Sequence, residues 1–191
     1  MFEVFIHEKN PTPDVRDRAT TALTEVMAVQ AQFRANDLLA RREFLAASNG
    51  RGGRSQAALV RAELEIVEQR IVQLMQVRST AAACAAAELP RLLRLVDSFV
   101  EGLELGQGCL AVRMRTGGVT AGHARMLLVP RRERAARVRR QIYAADPPAG
   151  LEPSSVPCLG VYGNGYVDDA LDRMDLASLV LTFVSHVRTN T

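Results

Sequence analysis

An α+β fold, predominantly α, is predicted by three features of the sequence. Apolar residues recur in heptads over residues 19–40 and 60–85. Two-residue alternation is confined to short stretches near residues 2–7 and 108–129. Aromatic residues make up only 5% of the chain and tryptophan is absent, so the core must be built from Leu, Val, Ile and Ala, which suits close helix–helix packing. The expected architecture is a long antiparallel, coiled-coil-like helical hairpin with a small β hairpin and a C-terminal helix.

The elements follow in order. Phe-Glu-Val-Phe-Ile-His at 2–7 reads as a short strand or extended arm, ended by Pro11 and Pro13. Thr12, Pro13 and Asp14 supply a cap, a first-turn proline and a first-turn acid, so a helix starts there and runs to about residue 47. Ala19, Val26, Phe33 and Ala40 form one row; Val15, Ala22 and Val29 form a second, interrupted by Asn36. Three glycines within residues 49–55 break it. A second helix starts near Gln56, with Val60, Val67, Leu74 and Ala81 in one row and Leu64, Ile71 and Ala85 in the other. Two seams of similar length joined by a short polar loop predict the hairpin.

Pro90 is expected to kink or end the second helix. A third helical segment over 91–105 would carry Leu92, Val96, Phe99, Val100 and Leu103 on one stripe. Leu110, Val112 and Met114 then alternate with Ala111, Arg113 and Arg115, a half-buried strand. Thr116-Gly117-Gly118 is a turn, and 119–129 is the returning strand, with Gly122 marking a bulge. Pro130 opens an arginine-dense helix to about Ala145. A strand over 159–162, a Gly163-Asn164-Gly165 turn and a helix from Asp168 to about Val187 complete the chain. Five segments result: an arm or strand at 1–11, the helical hairpin and third helical segment at 12–106, the β hairpin plus arginine-rich helix at 107–145, a proline-rich linker at 146–157, and a strand–turn–helix at 158–191.

Composition narrows the function. Hydrophobic residues are 48% and charged residues 24% of the chain, ordinary for a globular protein. Of the 24 basic residues only Lys9 is lysine, a bias that a GC-rich coding sequence produces, as in a high-GC bacterium or a GC-rich DNA virus. The three cysteines, Cys84, Cys109 and Cys158, match neither a disulfide framework nor a zinc pattern. An intracellular, reducing compartment is therefore expected, cytoplasm or nucleus, or the virion if the protein is viral. Residues 1–10 lack the pattern of a signal peptide. The apolar run at 176–184 is too short to span a bilayer.

Few residues suggest chemistry. His7, His123 and His186 are isolated from other metal ligands and triad partners in the sequence. Asp168 and Asp172 share a helix face and could hold Mg²⁺, but acidic residues also favour a helix N-terminus for its dipole. No catalytic residue, metal ligand, cofactor or cofactor-binding residue is assigned, and a non-enzymatic protein is expected. The leading function is an oligomeric scaffold or assembly protein acting through helical contacts, a virion or assembly component if viral. Its self-association residues would be Val26, Phe33, Val60, Leu64, Val67, Ile71, Leu74, Leu179 and Phe183. A homo-oligomer and protein partners are expected. The alternative is nucleic-acid binding through Arg131, Arg132, Arg134, Arg137, Arg139 and Arg140, six arginines in ten residues.

Overall fold

The computed structural model describes residues 2–48, 54–116, 122–128, 142–145 and 160–190. In chain order the elements are β1 (Val4–Ile6), α1 (Pro13–Ser48), α2 (Arg54–Ser79), α3 (Ala81–Leu93), β2 (Gly102–Gly106), β3 (Cys109–Thr116), β4 (Gly122–Leu128), β5 (Ile142–Ala145), α4 (Gly160–Arg173) and α5 (Leu176–Asn190). The molecule is mostly helical. Its helices bundle around α1, which packs on α2, α3 and α4 and also touches β1, β2 and β3.

The strands form one antiparallel sheet in sequential order, β1-β2-β3-β4-β5. It draws strands from three of the five sequence segments, so the N-terminal stretch is a sheet edge tied to β2. Leu103, Leu105, Leu110, Val112, Met114, Met126 and Leu128 are buried on its inner side, where α1 and α5 pack. The β2–β3 turn is two residues long, Gln107-Gly108, with φ of 50° and 69°. Two positive φ values in a two-residue loop match the twist of a hairpin. Gly108 is required twice over: a Cβ there would also meet the Val29 side chain at 2.8 Å. The buried Gln30 amide donates to the Gly108 carbonyl at 2.7 Å, locking this turn onto α1.

Several expectations are corrected. Pro90 does not end the helix where it stands; it lies inside α3, which stops three residues later. The break falls at Thr80, where the Ser79 and Thr80 hydroxyls both donate to the Gln76 carbonyl, at 2.8 and 2.9 Å. The third helical segment ends at Leu93; turns follow, with Asp97 at φ 68°, and 102–106 is strand β2. Its apolar residues Leu92, Val96, Val100 and Leu103 are buried as expected, but Phe99 is not. The β3–β4 register runs unbroken from Thr116↔Gly122 to Leu110↔Leu128, so Gly122 marks no bulge.

The expected arginine-dense helix does not reach Ala145, because residues 142–145 are strand β5 paired with β4. Residues 160–162, expected in a strand, and the Gly163-Asn164-Gly165 turn lie within helix α4. Apolar residues at Val167, Ala170, Leu171 and Met174 dock that helix, offsetting the roughly 1 kcal/mol that each glycine costs. The expected single C-terminal helix is two. Met174 sits at φ 52°, with Met174 N–H donating to Leu171 O at 3.1 Å and Asp175 N–H to Ala170 O at 2.9 Å. This is a Schellman ending with methionine where glycine is usual.

Candidate interaction surfaces

Carboxylates on α4 tie the helical pair together. Asp172 is 1% exposed and accepts from Arg34 Nε of α1 at 2.6 Å on Oδ1. Arg70 Nη1 of α2 lies 2.6 Å from Oδ2, a charge contact outside hydrogen-bond alignment. Asp168, one turn earlier, also meets Arg34, at 3.1 Å. Burial opposes the charge on Arg34, but the Asp172 hydrogen bond and the charges of Asp172, Asp168 and Asp37 outweigh it and raise its pKa. The shared aspartate face expected from the sequence therefore exists, with guanidinium groups against it. Among the described residues no three His, Cys, Asp or Glu side chains converge to hold a metal ion.

One heptad beyond this layer, toward the 49–53 connection, Arg41 of α1 is ion-paired with Glu63 of α2. The two layers fix the direction of the pair. Moving from 34 to 41 along α1 corresponds to moving from 70 to 63 along α2, so the helices run antiparallel.

The same stripes continue past α4. Arg34, Asp37, Arg41 and Phe44 are spaced by three and four residues, as are Leu59, Glu63, Ile66 and Arg70, so each set shares one helix face. At the proximal end Asp172 covers both stripes. At the distal end Phe44 is 71%, Leu59 68% and Ile66 50% exposed. Val72 and Met75 are also exposed but lie on the opposite flank of α2.

A second polar junction fastens α5. Glu88 of α3, 5% exposed, accepts the Ala177 N–H at 2.6 Å, and its other oxygen accepts from Arg91 at 2.7 Å. Asp175 caps the same helix, accepting the Ser178 N–H at 3.0 Å and its hydroxyl at 2.9 Å, while Arg91 reaches it at 2.9 Å. Two carboxylates at one helix N-terminus complement its dipole. Burial pushes the Asp175 carboxyl up, but the Ser178 hydrogen bonds and Arg91 outweigh that and hold it below its ordinary value.

The sequence-derived association residues are used within the chain. Val26, Val60, Val67, Leu74, Leu179 and Phe183 are buried in one continuous core, and Leu64 and Ile71 pack against it half-buried; Phe33 is half-buried. Sequence reading missed Phe44, Leu59 and Ile66. The seven-residue spacing of Leu59 and Ile66 was visible, but which stripe α4 would cover was not. Arg131, Arg132, Arg134, Arg137, Arg139 and Arg140 lie outside the described residues, as do the linker at 146–157 and Cys158. Cys84 and Cys109 are unbridged thiols. Among the described residues no helix is long and apolar enough to cross a membrane. No family model, curated protein or solved structure matches this chain.

Proposed function

We propose that this chain is a non-enzymatic assembly protein that self-associates through the distal half of its α1–α2 pair, a coiled-coil-like hairpin. One observation carries the reading. The stripe covered by α4 at Asp172 continues uncovered for a further heptad and there presents Phe44, Leu59 and Ile66 to solvent. Large apolar side chains gathered on one stripe mark a contact surface more than scattered ones do.

A second copy is the occupant the stripe fits best. Its centre holds one cation and one anion, Arg41 and Glu63, so a two-fold contact would set each charge against its opposite in the other copy. Phe44, Leu59 and Ile66 would then pack on the same set. Burying each contributes about 1.5–3 kcal/mol, against an association cost of about 4–15 kcal/mol. The two terms are of similar size, so the contact is expected to form and dissociate with protein concentration.

Sedimentation equilibrium of the native chain and of Phe44→Asp/Ile66→Asp tests this. The native mass should rise above one chain at tens of micromolar, and the variant should stay monomeric with unchanged helicity. A native chain that is monomeric throughout, or a variant of native mass, rejects the reading.

A further inference from the structure

Self-association through the distal stripe does not by itself fix how two copies are oriented. The Arg41–Glu63 pair joins α1 and α2 at one level, with side chains 54% and 40% exposed. Along the antiparallel helices Phe44 of α1 is level with Leu59 of α2, and Asp37 with Ile66, to within one residue. Ala40 and Ala47 neighbour Phe44 at helical spacing, and Ala62 neighbours Leu59 and Ile66; all three are exposed. These small flanks admit a second helix and add no charge, so Arg41 and Glu63 dominate the middle of the face.

Two face-to-face arrangements have two-fold symmetry. With the axis along the helices, α1 of each copy lies on α2 of the other. Arg41 then meets the partner's Glu63 at two symmetric points, and Phe44 meets the partner's Leu59. With the axis across the helices, α1 lies on α1 and the levels reverse. Arg41 then meets Arg41, Glu63 meets Glu63 and Phe44 lands on Asp37; only Leu59 on Ile66 is well matched. Like charges repel across a contact, and an apolar ring set on a carboxylate strips its water. Charge and apolar matching therefore both favour the axis along the helices. α4 covers the same face at the Asp172 layer. The two helical pairs must diverge there by about 10 Å, the width of a helix, which confines the contact to the distal halves.

We infer that the Arg41–Glu63 layer orients the contact and selects its partner, joining two copies of this chain with their distal ends together and α1 of each on α2 of the other. This rests on the self-association proposed above. A second copy is selected because a matching partner must carry an anion and a cation at one level, in this order across its two helices.

Sedimentation equilibrium of the native chain, Arg41→Glu, Glu63→Arg and an equimolar mixture of the two variants tests this. Arg41→Glu leaves two carboxylates in the layer, and Glu63→Arg leaves two guanidinium groups. Each variant alone should associate on the order of tenfold more weakly than the native chain, because two attractive contacts become repulsive. Mixed, each layer meets its opposite, and association should return to native strength as a one-to-one species. Recovery on mixing also shows that both variants fold. Raising salt from about 0.1 to about 1 M should weaken native association several-fold, because screening removes an attraction; this readout needs no substitution. An axis across the helices reverses each sign. Single variants that associate as well as the native chain, a mixture that associates more tightly than native, or a native contact strengthened by salt overturns the inference while self-association stands. So does a mixture as weak as its components when both variants keep native helicity. A native chain that is monomeric at every concentration overturns self-association itself, and this inference with it.

Discussion

The two halves of α1 meet different surroundings. From Pro13 to Ala35 the helix buries Ala19, Ala22, Leu23, Val26, Met27, Gln30, Ala31 and Ala35, a broad face in contact with helices and sheet alike. From Asn36 to Ser48 it buries only Leu38 and Leu45, seven residues apart. The proximal half is a globular core helix; the distal half is held along a single row. Burial on α2 follows the same narrow rule, with Val60, Val67 and Leu74 at successive heptads. One continuous helix thus serves as the centre of a fold at one end and, at the other, carries the exposed stripe proposed above as a contact surface. The change falls where α4 stops covering the pair, at the Asp172 layer.

That layer is the place to break the contrast. Asp172→Asn leaves Arg34 and Arg70 facing a neutral group, with Arg34 only 12% exposed. Removing one partner from a buried ion pair costs about 3–5 kcal/mol, so a large fall in denaturation midpoint is expected; retention of Asp168 as a partner for Arg34 sets the loss toward the lower end. A midpoint unchanged within error would show that α4 does not clamp the pair.

A smaller loss is expected at the proximal turn. Gly108→Ala sets a Cβ against Val29 and forces φ near 69° on a residue with a side chain. The strained backbone alone costs about 1–2 kcal/mol, and displacing Val29 or the Gln30 bond adds to it. Thermal unfolding should register the drop, and equal stability would mean the turn does not dock as described. The mildest effect should be a gain. A Cβ at Gly165 in α4 meets nothing within 4 Å, so Gly165→Ala should stabilise by about 0.5–1 kcal/mol. A loss there would contradict the helical assignment of this segment.

What the sequence revealed followed from local pattern. The row Val60, Val67, Leu74 and Ala81 is buried at every position, and the period-two stretch became β3. Strand β2 was hidden because Val96, Phe99, Val100 and Leu103 mimic a helical stripe, while the positive φ at Asp97 leaves no glycine to announce it. The α4–α5 corner was hidden for the same reason, since Met174 takes the position where glycine is the usual signal. Asp175 and Ser178, spaced as a cap, were the trace left in the sequence. Asp168 and Asp172 were legible as one face. Their partners were not, because Arg34 lies more than a hundred residues away in the chain. Phe44, Leu59 and Ile66 look like ordinary seam residues until the position of α4 shows which stripe is open.

Hydrogen exchange measured against protein concentration separates the two halves most directly. Amide protection reports local opening, and association protects only the surface it covers, by mass action. Between about 1 and about 100 µM, exchange in peptides from 38–48 and 55–66 should slow. Peptides from 19–35 and 89–93, whose protection comes from the fold itself, should exchange at one rate throughout. Exchange in 38–48 and 55–66 that does not change with concentration would contradict self-association through the distal half.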